Sequence, residues 1–159
     1  MPKHLFIKEA GTSKDGLIAI EKLADACKTS LTASAIRYAQ LTEAAVAIVI
    51  SSGSSVEYCF SSSAMRKITG YLHLKKGTAV PRDSSTWNFN QSTNNVRSEN
   101  RCDDDTDLMV WFHTDCEIEA REEVVGLGGY GKTLTIITTE NLDEDDEEID
   151  SEWEEPKFR

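Results

Sequence analysis

The segment "REEVVGLGGYGKTLTIITT", residues 121–139, decides the fold, because it fits either a phosphate-binding loop or a β-hairpin. Its centre, "GLGGYGKT", matches the pattern G-x-x-x-x-G-K-[ST] at Gly126, Gly131, Lys132 and Thr133. A phosphate loop also needs a helix that begins at the Lys-Thr pair and directs its positive end at the phosphate. The residues that follow Thr133 are "LTIITT", which is rich in β-branched side chains and favours a strand. We therefore interpret the segment as a glycine-rich β-hairpin and the nucleotide motif as a chance match.

Further strands are predicted on the N-terminal side of this hairpin. The apolar run Ala45–Ile50 is followed by the turn "SGSS" and by the alternating stretch Val56–Phe60, a combination that indicates a second β-hairpin. Strand-like patterns also occur in "DLMVWFHT", residues 107–114, and in "CEIEAREEVVGL", residues 116–127. Strands that follow one another in this way are typical of an antiparallel sheet.

The segments between these strands are predicted to be less regular. The stretch "AMRKITGYLHL", residues 64–74, indicates a short helix that leads into extended chain. Residues 77–106 are polar and rich in turn formers, with one helical turn predicted to begin at Asp83. The acidic cluster "DDDTD", residues 103–107, lacks the glycine and the later glutamate of an EF-hand loop, so we interpret it as a solvated loop.

Two helices are predicted before the first strand. The first has Ser13 or Asp15 as its predicted N-cap. Its apolar side chains recur at helical spacing, at Leu17, Ile20, Leu23, Ala24 and Cys27. The second is predicted to be capped by Ser30 or Thr32, and its inward residues are Ala33, Ile36 and Ala39, with Gln40 left open between the inward and the outward face. A tight joint near residues 29–30 gives the pair the outline of a helix-turn-helix.

The outward residues of the second helix are Thr32, Ser34, Arg37 and Gln40, which offer only one positive charge. Packing against the sheet is therefore favoured over contact with DNA.

The charge of the chain is concentrated at its C-terminal end. The formal net charge is -11, but residues 140–155 hold 11 of the 28 acidic side chains and no Lys or Arg. The remainder is nearly balanced, which disfavours nucleic acid as a partner. Together these patterns predict an α+β protein with a helical segment at 1–43, a sheet domain at 44–140 and an acidic disordered tail at 141–159.

The composition also indicates a cytoplasmic location. No apolar run is long enough to cross a bilayer, and the first residues lack the apolar core of a signal peptide. The four cysteines show no C-x-x-C spacing and are expected to be reduced thiols; they are Cys27, Cys59, Cys102 and Cys116.

Catalytic and metal-binding patterns are weak. The three histidines, His4, His73 and His113, are isolated, so no H-E-x-x-H zinc motif occurs, and no G-x-S-x-G nucleophile motif occurs either. A mixed metal site from Cys102, His113 and Cys116 would not have the ligand spacing of a known zinc module. Four aromatic side chains are predicted to belong to the core, with a sensor pocket as the alternative; they are Trp87, Trp111, Tyr58 and Phe60.

Several phrases of the sequence resemble one family. "MPKHLF", "LADACKTSLTASAIRYAQL" and "AVAIVISSGSSVEYCF" are similar, in this order, to the segment that follows the active site in ImmA/IrrE-type metallopeptidases. The positions that match the family's helical phrase are Ser30, Ala33, Ala35 and Arg37. The later "REEVVGLGGYGKTLTIITTE" looks like the closing hairpin of the family's C-terminal, GAF-like domain.

The resemblance implies a regulatory rather than a catalytic role. The family's enzymes are zinc endopeptidases that cleave repressors of the XRE type and relieve repression after stress. Their zinc histidines, catalytic glutamate and further metal-ligand glutamate would all lie before Met1, so no residue of this chain inherits a catalytic or zinc role. The resemblance therefore implies a sensor module without a cofactor of its own. Its partners would be a small molecule, an XRE-type repressor or a separate peptidase domain.

Two alternatives remain open from the sequence. The first is a small DNA-binding regulator that uses the helix pair, with Arg37 as its exposed cation. The second is a truncated remainder of a complete metallopeptidase, because the "MP" at the start coincides with an internal phrase of the family. The sequence does not distinguish these from a separate sensor module.

Overall fold

The computed structural model describes residues 16–128 and 131–139. Three features of the sequence analysis lie outside the described residues: the predicted N-caps at Ser13 or Asp15, the isolated His4 and the predicted acidic tail at 141–159.

The described chain has two helices, followed by strands interspersed with short helices. The helices are α1 (Gly16–Cys27), α2 (Leu31–Leu41), α3 (Ser63–Arg66), α4 (Ser85–Asn90), α5 (Thr93–Arg97) and α6 (Leu108–Phe112). The strands are β1 (Ala45–Ser52), β2 (Ser55–Ser61), β3 (Arg101–Asp107), β4 (Glu119–Gly126) and β5 (Thr133–Thr139).

All described strands belong to one antiparallel sheet with the order β2-β1-β5-β4-β3. Both predicted hairpins are confirmed: β1 pairs with β2, and β4 pairs with β5 in a register that places Gly126 opposite Thr133. Strand β5 also pairs with β1, so the closing hairpin joins the two halves of the sheet. The α+β class predicted from the sequence is therefore correct.

Helices α1 and α2 pack on one face of the sheet. Their buried side chains form one apolar cluster with alternate residues of β1 and with β4 and β5; it comprises Leu17, Ala19, Ile20, Leu23, Ala35, Tyr38, Ala39, Val46, Ile48, Ile50, Val125, Leu134 and Ile136. The helices join through Lys28, which has a positive φ of 57°, and through Ser30, the N-cap of α2. The predicted cap at Ser30 is confirmed.

The inward face of α2 differs from the prediction. Ala33 and Gln40 are exposed, whereas Ser34 is buried together with Tyr38. The other buried residues of α2 are small, so Tyr38 is the largest side chain that the helix buries. The hydroxyl of Ser34 tolerates burial because it shares a hydrogen bond of 2.5 Å with the hydroxyl of Thr29.

The other face of the sheet is covered by the short helices and their connecting loops. The cluster there comprises Ala45, Ala47, Val49, Val56, Met65, Ile68, Leu74, Val80, Leu108, Trp111, Phe112, Ala120 and Ile137. Strand β1 is thus buried on both faces, which explains why its residues 45–50 are all apolar rather than alternating.

Two sequence predictions between residues 77 and 114 are wrong. Arg101–Asp107, expected to be loop, is the edge strand β3, in which Asp103, Asp104 and Asp105 remain exposed to solvent. Charged side chains at a sheet edge oppose pairing with another chain, so an acidic strand is stable there. Leu108–Phe112, expected to be a strand, is helix α6, which Asp107 caps by accepting a hydrogen bond of 2.8 Å from the Met109 backbone.

The helical turn predicted to begin at Asp83 is displaced by two residues. Helix α4 begins at Ser85, and the hydroxyl of Ser84 caps it by accepting from the backbone N–H of Trp87 at 3.1 Å. A second short helix, α5, follows it and was not predicted.

Among the described residues, no helix combines the length and apolar character that a membrane span requires.

Candidate functional site

A cleft of about 420 Å³ lies between helix α2, the edge of the sheet and the β4–β5 hairpin. Its lining residues are Ser30, Thr32, Ile36, Ile50, Tyr58, Phe60, Leu127 and Lys132. Most of this surface is apolar, and the polar groups of the lining side chains are the three hydroxyls of Ser30, Thr32 and Tyr58 and the ammonium of Lys132. Small-molecule sites in proteins combine an apolar lining with a few placed polar groups in this way.

The first turns of α2 form one wall of the cleft. The Ser30 hydroxyl accepts a hydrogen bond from the Ala33 backbone N–H at 3.1 Å, which fixes the start of the helix. Thr32 and Ile36 are four residues apart and therefore lie on the same side of α2, facing the sheet. This wall changes from polar at the helix start to apolar one turn later.

A β-bulge in β2 forms the opposite wall. Ile50 pairs with Tyr58 and Ser51 pairs with Val56, so Glu57 is an extra residue without a partner on β1. Bulges of this kind redirect side chains at sheet edges. Beyond the bulge, Tyr58 and Phe60 stack with ring centroids 6.4 Å apart and an interplanar angle of 21°.

Tyr58 and Phe60 both line the cleft, and Phe60 also packs, partly buried, against the apolar cluster beneath α1 and α2. Half of the Tyr58 surface, 50%, is exposed, so the core assignment made from sequence is wrong for this residue. Trp111 is buried as predicted, with 1% of its surface exposed. Trp87 is partly buried and packs against the cluster on the opposite face of the sheet.

Lys132 brings a positive charge to the rim of the cleft. Its Nζ donates to the Glu57 Oε1 at 2.5 Å and lies 5.9 Å from the centre of the Tyr58 ring. The hydrogen bond to Glu57 raises the pKa of Lys132 above its ordinary value, so the side chain is an ammonium at neutral pH. This ion pair thus connects the β-bulge of β2 to the β4–β5 hairpin.

The four residues of the nucleotide-like motif are divided among different contacts. Gly126 lies against α5, where an added Cβ would come within 2.7 Å of the Val96 backbone. Lys132 reaches the cleft, while the Thr133 hydroxyl donates to the Asn90 side chain at 2.6 Å. Gly131 adopts a φ of 69° at the hairpin turn. A strand, not a helix, follows Lys132, so the segment lacks the helix start on which a phosphate loop depends.

The four positions of the family-like helical phrase also have different surroundings. Ser30 caps α2 and lines the cleft, and Ala35 is fully buried against the sheet. Ala33 is exposed, and so is Arg37, whose guanidinium donates to the Gln40 side chain at 3.4 Å. Of the four, Ser30 alone is a residue of the cleft.

A chain of hydrogen bonds links three side chains at the other face of β2. The Ser61 and Tyr71 hydroxyls share a hydrogen bond of 2.6 Å, and the Tyr71 hydroxyl is 2.9 Å from the His73 Nδ1. Burial raises the pKa of Tyr71 to about 12 and also raises the pKa of the neighbouring Cys59 thiol. Neither shift activates a nucleophile at neutral pH, because both groups keep their protons.

The metal candidates named from sequence do not converge. Cys102 is exposed on β3, His113 ends α6 with a φ of 56°, and Cys116 is exposed in the following loop. Over residues 16–128 and 131–139, no three His, Cys, Asp or Glu side chains are arranged to hold a metal ion. The described donors therefore do not fit a zinc site.

Two adjacent buried glutamates on β4 were missed by the sequence analysis. The carboxylate of Glu122 accepts from the backbone of α4 on one face, and that of Glu123 accepts from the Leu17 backbone at 3.1 Å on the other. Each carboxylate thus fixes a covering helix to the sheet. The available sequence signal was two consecutive acids directly before Val124 and Val125 in a predicted strand, since acidic side chains are rarely buried without such partners.

Comparison with models of protein families gave no match, and comparison with curated proteins gave no match either. The interpretation of the cleft therefore depends on its geometry and chemistry.

Proposed function

We propose that this chain is a non-catalytic regulatory module that binds a small molecule in the cleft beside α2. The observation that carries the proposal is the cleft itself, with its volume of about 420 Å³, apolar body and polar rim. Ligand sites in proteins typically have volumes of roughly 300–1,000 Å³ and this type of lining. The described lining residues include no carboxylate, imidazole or thiol, a set that supports binding rather than acid–base or nucleophilic chemistry.

The proposal extends to the helix pair as the element that transmits binding. Helix α2 contributes Ser30, Thr32 and Ile36 to the cleft and presents Arg37 and Gln40 to solvent on another side. A ligand between α2 and the sheet has different contacts if α2 shifts, so its binding favours one helix position over another. A protein that contacts the exposed face of α2 would respond to that change.

The family resemblance supplies the candidate partners in this proposal. We propose that the chain acts like the C-terminal, GAF-like part of an ImmA/IrrE-type metallopeptidase in the cytoplasm. An antiparallel sheet preceded by a helix pair supports this assignment at the level of architecture. The partner would be an XRE-type repressor or a peptidase domain, and zinc would belong to the peptidase segment.

Ligand binding is tested by NMR on the full chain. The ¹⁵N-labelled protein is titrated with a collection of aromatic and branched fragments that includes neutral, cationic and anionic members. The proposal predicts chemical-shift changes centred on Ile36, Ile50 and Phe60. Ile36→Trp, which fills the cleft, should abolish them, whereas the matched change Ile18→Trp on the exposed side of α1 should not. Shifts scattered over the surface, or unchanged in Ile36→Trp, would refute binding in the cleft.

The relation to a peptidase has its own test. The DNA upstream of the Met1 codon is sequenced, and the native protein is weighed by mass spectrometry. An in-frame H-E-x-x-H with a heavier native mass would identify the chain as part of a zinc peptidase. A stop codon close upstream, with a native mass equal to that of the 159 residues, would support a module that acts in trans.

DNA binding remains the alternative from another functional class. Within Leu31–Leu41, Arg37 is the one cationic side chain, and this small positive charge does not favour the alternative. Duplex binding that weakens with salt and is lost in Arg37→Ala would support it.

A further inference from the structure

We propose that the ligand of the cleft is a small amphipathic anion, with a flat or branched apolar body and one carboxylate-like group. This inference rests on the proposed function, because it assigns a chemical class to the ligand of the same cleft. Four features of the cleft support it: the charge in its lining, the position of that charge, the start of α2 and the shape of the apolar wall.

The charge in the lining of the cleft is positive. Among the lining residues that the structure describes, Lys132 is the one that carries a charge. A ligand that enters this cleft therefore meets an ammonium group on its way to the apolar lining. The rest of the lining is apolar or hydroxylic, and the opposing charge next to the ammonium is the Glu57 carboxylate, which pairs with Lys132 from outside the lining.

The contacts of the Lys132 ammonium hold it in position but leave N–H donors available for a ligand. Glu57 occupies one of its donors at 2.5 Å, and the Tyr58 ring lies 5.9 Å from Nζ on another side. An ammonium has three N–H donors, so Lys132 can bond a ligand oxygen while it keeps Glu57. The Lys132 side chain is 37% exposed, so solvent, and hence a ligand, reaches it.

The start of α2 adds a second favourable contribution for an anion. The Ser30 oxygen accepts from the Ala33 backbone, which leaves the Ser30 hydroxyl proton available to a ligand. The Thr32 hydroxyl lies on the same wall. Near a helix N-terminus the backbone dipoles favour negative charge, an effect that is modest at exposed positions.

The apolar wall fits a ring or a branched chain. Tyr58 and Phe60 stack along one side, and Ile36 and Ile50 complete the apolar lining. A planar ring placed against this wall gains aromatic contacts and buries apolar area.

The acidic composition of the chain does not oppose this assignment. The net charge of -11 is largely due to residues 140–155, which lie outside the described residues. At physiological ionic strength, exposed charges are screened beyond about 8 Å. The nearest charges therefore decide the preference; they are Lys132 in the lining and its partner Glu57, with which a ligand anion competes for the ammonium.

Three probes with one ring system test the ligand class on the full chain: 2-naphthoate, 2-naphthamide and 2-naphthylmethylammonium. Their affinities are measured by calorimetry, with NMR shifts locating the site. We expect 2-naphthoate to bind about tenfold more tightly than the amide, the size of one charge-assisted hydrogen bond. The ammonium compound should bind most weakly.

Variants at the ion pair supply the control. Lys132→Met should lower the affinity for 2-naphthoate to that for 2-naphthamide and leave the affinity for 2-naphthamide unchanged. If circular dichroism shows that Lys132→Met is not folded, Lys132→Gln is used in its place. Glu57→Gln should raise the affinity for 2-naphthoate, because the competing carboxylate is removed. If the amide binds as tightly as 2-naphthoate, or the ammonium compound binds best, the ligand class is wrong while cleft binding stands. If none of the probes shifts residues of the cleft, the proposed function fails as well.

Discussion

The carboxylate of Glu122 accepts two hydrogen bonds from Thr86, at 2.7 Å from the backbone N and at 2.5 Å from Oγ1. The backbone N of Ser85 and the indole Nε1 of Trp111 donate to its other oxygen, at 3.3 and 3.4 Å. A fully buried carboxylate is tolerated because these donors replace its water. Glu122 thereby fixes the first turn of α4 to the sheet.

Helix α4 in turn supports the hairpin beside the cleft. Asn90, at its end, donates to the Gly53 carbonyl at 2.9 Å and to the Ser51 hydroxyl at 3.1 Å, and it accepts from the Thr133 hydroxyl. One side chain thus joins the β1–β2 turn to the start of β5. The contacts made by Glu122 are therefore expected to matter for the hairpin that carries Lys132.

Replacing Glu122 should destabilise the fold strongly. Glu122→Ala leaves several buried donors unsatisfied, and we expect the free energy of unfolding to fall by about 3 kcal/mol or more. Glu119→Ala changes an exposed side chain on the same strand and should cost about 0.5 kcal/mol or less. Urea unfolding followed by Trp fluorescence compares the two. Equal effects would show that the contacts of Glu122 contribute little.

The two motif glycines should differ in their tolerance of alanine. At Gly126 an added Cβ meets the backbone of Asn95 and Val96 at 2.7 Å, so Gly126→Ala requires α5 to move and should cost about 2 kcal/mol or more. At Gly131 nothing lies within 4 Å, and Gly131→Ala should cost about 1–2 kcal/mol, for its positive φ alone. Thermal unfolding of both variants measures the difference. A Gly126→Ala protein as stable as the wild type would contradict the close packing of α5 against the hairpin.

The buried tyrosine of the hydrogen-bond chain predicts a loss of stability at high pH. Burial raises the pKa of Tyr71 from its ordinary 10.0 to about 12. Between these values the unfolded chain has lost the Tyr71 proton and the folded chain keeps it, so this contribution to stability is present below pH 10 and falls as the pH rises toward 12. The stability difference between wild type and Tyr71→Phe should therefore narrow over this range, as measured by urea unfolding at several pH values. A constant difference would indicate that Tyr71 titrates normally.

The sequence predicted the two hairpins because their determinants are local. The turns at Gly53 and near Gly131 need residues that accept a positive φ, and the flanking runs are β-branched. Strand β3 and helix α6 were misassigned because their local patterns are opposed by tertiary contacts. Asp107 separates the two elements, since it ends the edge strand and caps the helix that buries Trp111.

The cleft could not be predicted from sequence. Its lining comes from four separate segments, which the fold brings together around α2 and the bulge at Glu57. The bulge has no local signal, yet it determines where Tyr58 and Phe60 point. Lys132 belongs to a nucleotide-like motif in the sequence, but in the structure it pairs with Glu57.

The most direct test of the central claim is a pair of ¹H–¹⁵N NMR titrations with the fragment collection, one on wild-type protein and one on Ile36→Trp. The account predicts saturable shift changes at residues that line the cleft in the wild type and their loss in Ile36→Trp, with Ile18→Trp behaving as the wild type. Saturable shifts that persist in Ile36→Trp, or no saturable shifts at Ile36, Ile50 and Phe60 in the wild type, would contradict it.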